Sequence, residues 1–222
     1  MSQIDDPIHQ QFSDEELRAI VEEAGRAERI VAAHCHGKPG IMAALRAGVR
    51  TIEHGTYLDE EAADAMRECD AILVPTLFIG DELLTHGKDG AIPDYVYAKL
   101  TTVVETHANA VTIAHERGVR IALGTDIGFT GKSIAGWGMN GAELSNLVRA
   151  GLSPLEAIEA ATATAPLTLG AQAPKSGQLV AGYDADLIAL RTDPSADVSI
   201  LANPTNVTHV WKAGELVKSP AP

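Results

Sequence analysis

Positive charge is scarce in this sequence. Seventeen lysines and arginines stand against 30 aspartates and glutamates, for a formal net charge of −13. Nucleic-acid binding needs a basic stripe to meet phosphates, and none is present, which argues against such a partner. Cysteine is rare as well. Cys35 and Cys69 are too few for a disulfide framework, and a reducing compartment fits. The first twenty residues lack the basic start and apolar run of a secretory signal. No apolar stretch reaches the roughly eighteen residues needed to span a bilayer. Together these absences predict a soluble, cytoplasmic chain with neither membrane nor nucleic acid as partner. What remains is an ordinary globular composition, 45% hydrophobic and 21% charged over 222 residues. That length is enough for one buried core and a small appendage.

Apolar runs alternate with helical patterns along the chain. Ser13-Asp14-Glu15-Glu16 reads as a capping box opening a helix to about residue 27. Ile30-Val31-Ala32-Ala33-His34 reads as a buried strand, residues 39–47 as a short helix stopped by Gly48, and Val49 to His54 as a second strand. Asp59 is placed to cap a helix over 60–69, and Ala71 to Thr76 forms a third strand. The stretch holding Gly80, Gly87, Gly90 and Pro93 is predicted to be a long active-site loop. A helix from Asp94 to about Arg117 leads to a fourth strand, Val119–Leu123, running into Gly124-Thr125-Asp126. Glycine-rich residues 128–141 precede a helix over 142–150, and Ser153-Pro154 opens another. Four strands separated by helices indicate parallel βα units. From Gly177 the pattern changes to short strands with a turn at Lys212-Ala213-Gly214, a small β appendage. The expected division is 1–175 for a partial barrel and 176–222 for the β segment.

Polar residues recur at the ends of those strands. His34 ends the first, His54 the second, and Asp126 follows the fourth. The C-terminal ends of parallel barrel strands form the active-site mouth. Imidazole and carboxylate are ligand types that zinc prefers, and a carboxylate beside metal-bound water can take its proton. Strand alternation puts Ile52 and His54 on one face and Glu53 on the other, in the layer between sheet and helices. His36, on the side of His34, together with Tyr57 and Thr76 near strand ends, are candidates to touch substrate. Cys35 is expected to pack as a small hydrophobe. His107 and His115, in the long helix, are expected to be exposed, and His86 solvated.

The runs Ala33-His34-Cys35-His36-Gly37, Ala47 to Gly55 (AGVRTIEHG) and Leu123-Gly124-Thr125-Asp126 resemble the fifth, sixth and eighth strands of the amidohydrolase superfamily, near its imidazolonepropionase and prolidase (Xaa-Pro dipeptidase) groups. Asn140-Gly141-Ala142-Glu143-Leu144, Ala150 to Ala157 (AGLSPLEA) and Gly182 to Ile188 (GYDADLI) extend the likeness over nearly the whole chain. The resemblance implies an α/β fold: the C-terminal half of a TIM-like (β/α)8 metal-dependent hydrolase barrel plus a small β-sandwich appendage. It implies His34 and His54 as metal ligands, and Asp126 as both ligand and catalytic proton shuttle. The implied cofactor is one or two divalent ions, usually Zn²⁺. The implied reaction is attack of activated water on a C–N bond of a small-molecule or dipeptide-like substrate.

The family's first-strand His-x-His pair and its bridging fourth-strand lysine have no counterpart here, so the chain is expected to begin mid-barrel. Weak metal binding and little hydrolysis by this chain alone follow, because zinc sites want three protein ligands on one ion. Pairing with the missing half or a second copy would cover the outer strands. The alternatives are a non-catalytic scaffold fragment, or a heterocycle deaminase of the same superfamily.

Overall fold

A computed structural model describes residues 6–86, 94–127 and 136–220. The first helix, α1 (Asp14–Arg26), is held by the capping box read from its sequence. Ser13 Oγ accepts from the Glu16 N–H, and the Glu16 carboxylate accepts from the Ser13 N–H. Strand β1 (Ala32–Cys35) follows, beginning and ending slightly later than its apolar run suggested. Helix α2 (Lys38–Ala47) ends at Gly48, whose φ of 99° suits glycine and closes the helix. Then come β2 (Thr51–His54), α3 (Glu60–Glu68) capped by Asp59, and β3 (Ile72–Val74).

Residues 77–86, predicted as the start of a loop, are instead a helix, α4 (Leu77–His86). Gly80 does not break it because Leu77 and Phe78 anchor its first turn in the core. Residues 87–93, the rest of that predicted loop, and 128–135 lie outside the described part. Helix α5 (Asp94–Glu116) leads into β4, which is hydrogen-bonded as a strand only over Arg120–Ile121. Helices α6 (Ala142–Arg149) and α7 (Pro154–Ala161) follow, the latter with a second capping box from Ser153 and Glu156.

The four strands pair in parallel in the order β1-β2-β3-β4, so β1 and β4 are the edges among the described residues. Ala33, Cys35, Ile52, Leu73 and Ile121 pack toward the helices, against Ile41, Leu45, Met66, Val111 and Ala114. The opposite face carries its own small cluster of Ile72, Val74 and Ala122. This two-faced burial is what a parallel βα sheet requires. Glu53 pairs in register with Val74 and His34, so it lies on that second face and not in the helix layer expected from its sequence. Glu53 therefore departs from expectation, because alternation fixes which residues share a face but not which face meets the helices.

Residues 187–218 form a separate three-stranded antiparallel sheet: β5 (Leu187–Leu190), β6 (Val207–Lys212) and β7 (Glu215–Lys218). Its turn at Ala213-Gly214 uses left-handed backbone at both positions, as a two-residue hairpin demands. No helix among the described residues is long and apolar enough to cross a membrane.

Candidate metal centre

Three imidazoles meet at the C-terminal end of the parallel sheet. Ligand atoms of His34, His36 and His54 all lie within 4.8 Å of one another. His34 is the last but one residue of β1, on the open face, and is exposed, His36 is half-buried just beyond the strand, and His54 closes β2 and is buried. Alternation alone would send His54 to the side of Ile52. Its φ of 71° breaks that alternation and brings its ring toward His34. Gly55 follows at φ 64°, and an added Cβ there would come within 2.6 Å of the Leu73 side chain. The chain therefore turns sharply at a place that only glycine fits.

His54 Nε2 and His34 Nδ1 are 3.0 Å apart. Two nitrogens bound to one tetrahedral zinc at about 2.0–2.1 Å sit about 3.3 Å apart, so the pair fits an ion after an opening of a few tenths of an ångström. The other nitrogen of His54, Nδ1, is hydrogen-bonded to Thr76 Oγ1 at 2.7 Å, leaving Nε2 to face the cluster. His36 repeats the arrangement, its Nδ1 held by Thr56 Oγ1 at 2.8 Å. Such partners on the far nitrogen are how metal-binding histidines are oriented. Burial, and then the charges of His36, His34 and His107, push His54 down to about 3. Burial, followed by His34 and His107, takes His36 to about 4. Both rings are thus neutral at pH 7, the form that ligates a cation.

Asp126 follows β4 at the same end of the sheet. It is exposed, at φ 54°, and is not one of the three close-set groups. Its negative charge reaches Glu53, whose carboxyl is raised mainly by burial and further by Asp126. Thr76, a candidate substrate contact from sequence, places its hydroxyl on His54. Tyr57 is half-buried, and its backbone N–H donates to the His36 carbonyl at 2.9 Å. Cys35 packs in the core as expected, its thiol pushed up to about 11 by burial. His54, Thr76 and Asp126 all carry positive φ at strand ends, a costly conformation for residues with a Cβ and one that collects at functional sites.

Two contributors are not evident from the sequence. His107, expected to be exposed, is half-buried, and its Nε2 donates to the His54 carbonyl at 2.9 Å. It shares a helix face with the core residues Ala110, Val111 and Ala114, a spacing that could have placed it inside. Glu143 is fully buried and accepts from the N–H groups of Leu77 and Phe78 at 2.8 and 2.6 Å. It stands four residues before the buried Leu147, inside the apolar stripe of α6.

Residues 1–217 match the model of one known family. The chain belongs to the amidohydrolase family. Ochratoxinase from Aspergillus niger is 47% identical over 221 residues, covering 99% of this chain and 44% of that protein. The crystal structure of A. niger ochratoxinase superposes with a TM-score of 0.87 at 45% identity, over 99% of this chain and 49% of that one. A prolidase complexed with N-methylphosphonate-L-proline gives a TM-score of 0.87 at 35% identity, over 97% and 52% of the two chains. A Xaa-Pro dipeptidase with methionine bound in its active site gives 0.83 at 36%, over 94% and 50%. The chain spans about half the length of the relatives it matches. Its parallel βα units correspond to part of the amidohydrolase barrel.

Proposed function

We propose that this chain carries part of the centre of a metal-dependent amidohydrolase that cleaves C–N bonds in small, dipeptide-like or amide-linked substrates. The observation that carries the reading is the approach of His34 Nδ1 to His54 Nε2 at 3.0 Å, with burial keeping the His54 ring neutral. In this reading His34 and His54 hold a divalent cation, most readily Zn²⁺, and His36 stands beside it as a further imidazole or as a substrate contact. When bound, such an ion supplies Lewis acidity and lowers the pKa of a water molecule toward neutrality. Asp126, just past β4 at the same end of the sheet, takes the proton of the attacking water on its carboxylate. Thr76 fixes the His54 ring, and Tyr57, tied to His36 through its backbone, is a substrate contact in this reading. The substrate class rests on the relatives named as prolidase, Xaa-Pro dipeptidase and ochratoxinase. The proposed division of labour is residues 1–175 for the site and 176–222 for the β segment.

The test is a calorimetric titration of the chain with Zn²⁺, alongside His34→Ala and His54→Ala, followed by a hydrolysis screen of Xaa-Pro dipeptides and N-acyl amino acids. Binding that both variants abolish supports the reading. Wild-type affinity retained in both refutes it.

A further inference from the structure

Strand-end residues held at positive φ need outside help to stay there, because the conformation is intrinsically unfavourable for anything but glycine. Thr76 is the acute case. It is β-branched, buried and at φ 58°, and it hands its hydroxyl to His54. Immediately after it, α4 begins, and the first N–H groups of a helix have no partners within that helix. Here Leu77 and Phe78 donate theirs to the two carboxylate oxygens of Glu143, which reaches across from α6. Asn146 Nδ2, one turn on, donates to the same carboxylate at 3.1 Å. From the other side, His107 on α5 donates to the carbonyl of His54 itself, and the Pro75 carbonyl faces the same ring.

We propose that Glu143 and His107 are positioning residues for the metal centre: they clamp the backbone on either side of Thr76 and at His54, so that the threonine hydroxyl sets the rotation of the His54 ring. Neither side chain is one of the three close-set imidazoles. Glu143 acts through the Leu77 and Phe78 amides on Thr76, and His107 acts on the backbone at the residue whose ring does the binding. This rests on the metal-site reading above, but the ring's fixation is a property of the chain without metal and is measured separately.

The decisive variants are Glu143→Gln, which keeps the shape and puts an NH2 donor in place of one of the two oxygens that accept the Leu77 and Phe78 N–H groups, and His107→Leu, which removes the donor. His107→Gln is the rescue, because its amide nitrogen reaches about where Nε2 stands. Ring ¹⁵N shifts of His54 in the metal-free chain report whether the imidazole holds one tautomer. The expected result is a single fixed tautomer in wild type and in His107→Gln, and averaged shifts in Glu143→Gln and His107→Leu. Co²⁺ affinity, read from its visible absorption, is expected to fall about tenfold in the same two variants, the low end for groups that orient a ligand. Unchanged ring shifts in both folded variants overturn the proposal, as does an averaging ring in wild type. If wild type binds no Co²⁺ while the ring shifts behave as expected, the clamp stands and the metal reading falls.

Discussion

Replacing Thr76 by valine removes one hydroxyl and almost nothing else. Both residues are β-branched, so the strain of φ 58° is common to the two and cancels in the comparison. The site is 5% exposed, so water cannot replace the lost partner of His54 Nδ1, which now sits 2.7 Å from the hydroxyl. Leaving that nitrogen unpaired costs about 1–3 kcal/mol of folding stability. For metal binding, losing the group that orients a ligand costs about 10–100-fold in affinity, or about 1.4–2.8 kcal/mol at 1.4 kcal/mol per tenfold. The assay is Co²⁺ titration followed by absorption, paired with urea denaturation of the metal-free chain. Thr76→Ser keeps the hydroxyl and is expected to bind within a few-fold of wild type. Should Thr76→Val match wild type in both affinity and stability, the hydroxyl does not orient His54 and the reasoning fails.

Stability should peak near pH 6.5. His36 and His54 lie below their ordinary value of 6.5, at about 4 and about 3. The folded chain therefore binds fewer protons there than the unfolded one, and stability rises with pH up to about 6.5. Glu143 has the opposite sign: burial raises it from 4.5 to about 8, so its contribution is intact below 4.5 and lost as pH climbs through about 8. Thermal melts across this range are expected to show the maximum, with the alkaline decline absent in Glu143→Gln; a wild-type Tm still rising at pH 8 contradicts this. Leu73→Ala, at a fully buried position on the helix-facing side of β3, should cost about 2–5 kcal/mol in urea denaturation. A loss below about 1 kcal/mol would mean that this side of the sheet is not the main core.

The parts of this fold that were legible in the sequence are those governed by local chemistry. The capping box at Ser13 and the serine cap at Ser153, the glycine stop at Gly48 and the hairpin at Ala213-Gly214 each depend on residues a few positions apart. The meeting of His34 and His54 at one end of the sheet was also legible, because strand ends place side chains at the mouth of a parallel sheet. Helix α4 was hidden by Gly80, since what secures its first turn is a carboxylate 66 positions away on Glu143. His107 was misplaced for a related reason: a polar residue on a helix reads as exposed until its partner, here a carbonyl on another element, is known. The turning of His54 out of strand alternation depends on a positive φ that no pattern of hydrophobicity encodes.

A crystal of the chain soaked in Zn²⁺, with data collected at the zinc edge, puts the question most simply. The account predicts an anomalous peak bonded to His34 Nδ1 and His54 Nε2 at about 2.0–2.1 Å from each. Zinc bound only elsewhere on the acidic surface, with these two nitrogens still facing each other across 3.0 Å, would contradict it.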